Sequence, residues 1–227
     1  MCGRYGRRAD KQRIAESMQV NPNNVFEEDL PPSYNVAPQT YQPIVRLSRD
    51  SGERELALLR WGLVPFWAKG AKPPFSSINA RAEGLQTSAV YLEAFQKRRC
   101  LVPADFFYEW QQLGLKAKQP YAIEIKDQPI FAFAGLWDSW KDKATGTRLE
   151  TYAIITTDPN ELMASLHNRM PVILAPRDYE RWLAPASPGQ LPVDLLRPFP
   201  AQQMYAWKVS RAIGNVKNDQ PDLLDPI

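Results

Sequence analysis

The chain has 227 residues, 44% hydrophobic and 23% charged, and its 28 Lys and Arg against 25 Asp and Glu leave a formal net charge of +3. That composition excludes a disordered polyelectrolyte and suffices for one sizeable core, while so small a charge neither identifies nor excludes a polyanionic partner, since binding depends on how cations cluster. No apolar run nears the ~20 residues of a membrane span, the start Met-Cys-Gly-Arg has no apolar signal core, and two cysteines, Cys2 and Cys100, form no disulfide framework, so a cytoplasmic protein with a free thiol is expected.

In chain order, Asp10 is placed to cap a helix running to about Gln19. Strands are predicted over 43–48 and 54–62, a helix with an apolar stripe over 87–97, and strands over 100–110, 121–125, 130–134 and 151–156. Shorter helices follow at 159–165 and 177–183, and a Pro-rich surface loop at 184–200. The 21 prolines and 11 glycines are spread along the chain, which favours many short elements. The expected class is α+β, a β-rich single domain of mostly antiparallel strands with a few peripheral helices. The domain is expected to span 1–218, with 219–227 a poorly ordered tail.

Chemistry concentrates at a few positions. Removal of Met1 needs a small second residue, and Cys2 is one. A mature Cys2 carries an amine titrating near pH ~8, far below the ~10.4 of lysine, beside a thiol. The amine can form a Schiff base with an aldehyde, and the thiol can close the imine into a thiazolidine. The other reading of Cys2 is a buried residue that follows the start codon by chance.

His167, the sole histidine, lies in Leu166-His167-Asn168-Arg169-Met170-Pro171, at a predicted helix–strand junction; it reads as a proton carrier or as a structural residue. Glu109 sits in Phe106-Phe107-Tyr108-Glu109-Trp110, either facing an apolar interior, which favours a protonated carboxyl able to act as general acid, or turned to solvent. Arg60-Trp61-Gly62-Leu63-Val64-Pro65-Phe66-Trp67 mixes a cation with aromatics, as do sites for single-stranded nucleic acid, although Trp61 reads equally as core; Trp67 is more loop-like. Lys97-Arg98-Arg99 reads as a solvated helix end. No metal-ligand spacing, phosphate loop or dinucleotide fingerprint occurs, so neither metal nor cofactor is expected.

The segments Met1-Cys2-Gly3-Arg4-Tyr5, Tyr34-Asn35-Val36-Ala37-Pro38, Arg60 to Pro65, Asn79-Ala80-Arg81, Glu109-Trp110, His167-Asn168-Arg169-Met170-Pro171 and Val209 to Asn218 together resemble the SOS response-associated peptidase (SRAP) family, in one order over nearly the whole chain. The resemblance implies a cysteine that crosslinks to the ring-opened aldehyde of an abasic site in single-stranded DNA, in a protein that sheds Met1 by self-cleavage. It assigns Cys2 as nucleophile, Asn79 as holder of the N-terminus and the opened sugar, Glu109 as general acid/base, and His167 as assistant in ring opening and crosslink reversal. Arg4, Arg81 and Arg169 are implied to hold phosphates, Asn35 and Pro38 to line the groove near the lesion, and Trp67 to pack on bases or wedge the strand. A monomer, nucleoid-associated when on DNA, is expected. Phe106 stands where the family resembled usually carries glycine, so the groove beside Glu109 is expected to be reshaped. A cysteine peptidase and a non-covalent reader of modified bases are the competing functions.

Overall fold

Runs rich in Val, Ile, Phe and Tyr pair into sheets wherever alternate side chains find a common apolar space. The computed structural model describes residues 2–71, 77–114 and 117–227. In chain order these carry β1 (Arg4–Arg7), α1 (Lys11–Ser17), β2 (Ser33–Val36), β3 (Tyr41–Leu47), β4 (Arg54–Trp61), β5 (Asn79–Arg81), α2 (Leu92–Lys97), β6 (Arg99–Ala104), β7 (Phe106–Gln112), β8 (Lys118–Ile125), β9 (Phe131–Lys141), β10 (Arg148–Thr157), α3 (Glu161–Ala164), β11 (Met170–Pro171), β12 (Ile173–Leu174), α4 (Tyr179–Leu183) and β13 (Met204–Lys208). The α+β, β-rich expectation holds. No helix among the described residues is long and apolar enough to cross a membrane.

One sheet has the order β13-β8-β7-β1-β2 and is antiparallel throughout. The second is a barrel, because β10, β4, β3, β6 and β9 pair in sequence and β9 pairs back onto β10. Its exceptions to antiparallel pairing are β10 with β4 and β10 with β5.

Three apolar layers follow. Ile44, Leu59, Trp61, Val102, Phe133, Tyr152 and Ile154 of the barrel strands pack with Tyr5 and Phe107 of the first sheet. Trp61 is therefore core: it is fully buried, and its indole donates to the Ile78 carbonyl at 2.9 Å. Ile14 and Met18 near α1, Phe95 of α2 and Trp182 of α4 cover the outside of the barrel. Phe106, Tyr108, Val209, Ile213 and Leu223 form a third layer on the outer face of the first sheet.

The predicted strand over 100–110 is two strands in two sheets. The chain changes sheet at Asp105, whose carboxylate accepts the N–H groups of Arg8 and Ala9 while its own N–H donates to Gly6 at 3.0 Å. The helix predicted over 87–97 is only Leu92–Lys97, preceded by turns. Nor is 219–227 a loose tail. The Asp219 carboxylate accepts from Tyr34 N–H and Ser33 Oγ, Leu223 is buried, and the Ile227 N–H donates to Lys208 at 3.2 Å. Leu223 packs into the layer formed by Phe106 and Tyr108 of β7 and Ala122 of β8, an apolar anchor that its polar neighbours concealed in sequence.

Phe106 also departs from the expectation. Alternation along β7 sends Phe107 toward the barrel and Phe106 and Tyr108 to the outer layer. Glu109 lies two residues from Phe107 and so shares the barrel-facing side. Phe106 instead covers Gly6, its partner across β1 and β7, so closely that a Cβ on Gly6 would lie 1.9 Å from the ring. Its ring stacks on Tyr34 at 6.3 Å and meets the Arg8 guanidinium at 5.3 Å. Phe106 is thus accommodated on the face opposite Glu109.

Candidate active site

Short β1 carries the N-terminal residues into the first sheet between β2 and β7. Cys2 lies just before it and is completely buried against the core shared by the two sheets. Burial pushes its thiol well up, and the Glu109 carboxylate adds to that, against the Arg4 backbone N–H bonded to Cys2. The sulfur therefore sits as a neutral thiol. Met1 lies outside the described residues.

Asn79 arrives from a different element. Its strand β5 runs parallel to β10, with Asn79 opposite Ile154. The side-chain amide donates from Nδ2 to the Cys2 carbonyl at 2.9 Å, leaving Oδ1 buried with no hydrogen-bond partner among the described residues. Tyr91 OH donates to the Asn79 backbone carbonyl at 3.1 Å and steadies the short strand. Sequence reading missed Tyr91, and a tyrosine twelve residues on gives no signal of that contact.

Glu109 is 2% exposed, which settles its alternatives in favour of the interior, and its charge is felt by both Cys2 and His167. His167 follows α3, with its backbone N–H tied to Met163. Its Nδ1 accepts the Arg169 N–H at 3.0 Å, so the neutral ring carries its proton on Nε2. Burial lowers its proton affinity and Glu109 works the other way. Cys2, Asn79, Glu109 and His167 thus converge from four separate segments of the chain.

The expected DNA contacts divide. Arg81 and Trp67 are exposed, Trp67 at 50%, and Pro38 is half-buried in the turn after β2. Asn35 is different: it is buried, its Nδ2 donates to the carbonyls of Ile213, Asn215 and Asn218, and its Oδ1 accepts from Arg4. It is a knot that fixes the 213–218 segment and offers no groove surface. Arg4 is committed alike, to Asn35 and to the Ile213 and Gly214 carbonyls. The Arg169 guanidinium is held by Glu83 at 2.9 Å, Asp158 at 3.0 Å and the Thr156 carbonyl at 2.7 Å. It anchors the backbone that faces His167, and its charge is balanced by two carboxylates.

A model of the family "SOS response associated peptidase (SRAP)" matches residues 1–216. The chain belongs to this family. It is 41% identical over 227 residues to the abasic site processing protein YoqW of Bacillus subtilis, covering 99% of each chain. It is 35% identical to the abasic site processing protein HMCES of Gallus gallus, covering all of this chain and 78% of that one. Among solved structures, a protein from Bacteroides thetaiotaomicron superposes over 100% of both chains with a TM-score of 0.85 at 29% identity.

Proposed function

We propose that this SRAP protein recognises abasic sites in single-stranded DNA and captures them covalently through Cys2 after removal of Met1. The observation that carries the reading is the hydrogen bond from Asn79 to Cys2 beside Glu109 and His167, since it fixes the residue whose own nitrogen must react. The names of the relatives support the same substrate.

While Met1 is attached, the Cys2 nitrogen is an amide and cannot form an imine. Self-cleavage of the Met1–Cys2 bond, with water supplying the carboxylate oxygen, frees the amine. Opening of the abasic sugar then breaks C1′–O4′ as the C1′ hydroxyl gives up its proton and O4′ gains one, which yields an aldehyde at C1′; His167 in its imidazolium form is the group suited to protonate O4′. The amine adds to C1′, and its two protons pass by way of Glu109 to the aldehyde oxygen, which leaves as water. The Cys2 thiol adds to the imine carbon as its proton passes to the nitrogen, closing the thiazolidine. The net change is amine, thiol and aldehyde to thiazolidine and one water, with no oxidant or cofactor. A neutral thiol suits this order, because imine formation precedes the sulfur's attack.

Arg81 and Trp67 remain the surface groups available for phosphate and base. A monomeric, cytoplasmic protein acting on exposed single strands completes the reading. The test is a denaturing gel of purified protein with single-stranded DNA carrying one abasic site. A slower band that requires both Cys2 and the lesion is expected. A Cys2→Ala protein that still yields the band refutes covalent capture through this residue, and retained non-covalent binding without any band favours a reader.

A further inference from the structure

Of the run Lys97-Arg98-Arg99, only Lys97 fits a solvated helix end; it is exposed and 3.7 Å from Glu93. Arg99 is buried and gives its donors to the carbonyls of Phe95, Gln96, Trp182 and Ala184, with no carboxylate partner among the described residues. Arg98 reaches Glu93 and Asp138, each at 3.2 Å, keeps Nη2 buried with no hydrogen-bond partner, and lies 5.7 Å from the centre of the Phe66 ring.

Across from them Arg49, in the β3–β4 turn, is exposed and stacks on Trp137 at 4.7 Å, beside Arg46 at 4.0 Å. Arg46 is paired with Glu55 and Glu150, but Arg49 has no carboxylate partner among the described residues. Arg49, Lys97, Arg98 and Arg99 line a cleft of about 600 Å³ whose only acidic lining residue among the described residues is Glu93. Trp137 and Leu183 give it an apolar wall.

Such a cleft suits a phosphate with an adjoining sugar or base. Arginine forks match phosphate oxygens, and cations interleaved with aromatic rings follow a nucleic-acid strand. Arg98, which lines the cleft, also lies against the ring of Phe66, and Phe66 and the adjacent Trp67 are exposed.

We propose that this cleft is a second nucleic-acid contact, holding backbone phosphates of the DNA strand beyond the Phe66–Trp67 loop. The inference rests on the abasic-site reading above. It gives Arg49 and Lys97 a task in gripping flanking DNA.

The test uses the full chain and three single-stranded oligonucleotides with one abasic site: a short one of ~5 nucleotides, and two of ~20 nucleotides extended only 5′ or only 3′ of the lesion, lengths that bracket ordinary single-strand site sizes. Binding is measured by fluorescence anisotropy against salt, and crosslinking on gels. The Arg49→Gln, Lys97→Gln double variant is expected to bind one of the two extended strands roughly tenfold more weakly at low salt. Its salt slope on that strand should fall by about 1.4, two contacts at ~0.7 each. Affinity for the short strand should be unchanged, as should both readouts in an Arg13→Gln, Lys126→Gln control. Equal loss on short and long strands, or no loss on either extended strand, overturns the proposal. Failure of the wild-type protein to crosslink the short strand is a different result: it removes the abasic-site reading and the cleft's assignment with it.

Discussion

The side chain of Asn79 and the main-chain carbonyl of Cys2 are joined by a 2.9 Å hydrogen bond that spans 77 positions of sequence. It is the fixed point of the site, because Cys2 precedes the first strand and has no sheet partner of its own. Removing one partner of a buried bond costs about 1–3 kcal/mol, or roughly 5- to 150-fold in rate if all of it is lost from the reactive geometry. Asn79→Ala is therefore expected to slow crosslinking within that range while leaving the thermal midpoint within a few degrees of wild type. Single-turnover gels and differential scanning calorimetry check it; an unchanged rate contradicts the positioning role.

His167 gives a pH prediction with a definite sign. Burial lowers its proton affinity, so its midpoint should lie below the ordinary ~6.5. Because the folded state binds its proton less well than the unfolded state, its contribution to stability is complete above ~6.5 and falls as the pH drops through that value. It is the only histidine, so one imidazole NMR signal reports it. Glu109 opposes the shift, so Glu109→Gln should move the midpoint further down. A midpoint at or above ~6.5, or an upward move in Glu109→Gln, contradicts the geometry.

Asn35 separates a structural knot from a DNA contact. Asn35→Ala removes three donated bonds and the acceptor for Arg4, and a loss of about 2–4 kcal/mol is expected. Amide exchange should accelerate over 213–218, with the salt slope for DNA unaltered. A variant of normal stability and weaker DNA binding would restore Asn35 to the groove.

Gly6 and Phe106 form a testable pair. Gly6→Ala puts a methyl into the Phe106 ring and is expected to destabilise by at least 2 kcal/mol. In a Phe106→Ala background, itself about 3–5 kcal/mol less stable, the same change should cost little. Neither change should abolish crosslinking, since both lie on the face opposite Glu109. Additive losses in the double-mutant cycle contradict the packing.

These cases show what the sequence makes legible. Period-2 runs locate the long strands, because alternation records a face, and Asp10 caps α1 as its side-chain chemistry predicts, accepting from Arg13 N–H at 2.9 Å. The three- to five-residue strands at Arg4, Ser33, Asn79 and Met204 are too short for periodicity to mark. The sheet change at Asp105 is hidden because the apolar pattern runs through it. At the site, residue chemistry singles out Cys2, Glu109 and His167, but it does not show that Asn35, Arg4 and Arg169 are held by partners within the protein. Their partners lie 11 to 210 positions away, and nothing local tells a buried Asn or a paired Arg from one free to meet a phosphate.

The central claim is that the Cys2 amine and thiol both end on C1′ of the lesion. The most direct measurement is the intact mass, followed by peptide mapping, of the product formed with one abasic-site oligonucleotide. The account predicts a chain lacking Met1, joined to the oligonucleotide with loss of one water, and with the adduct on the N-terminal peptide at Cys2. A product that retains Met1, carries the adduct on a lysine, or forms equally well in Cys2→Ala contradicts it.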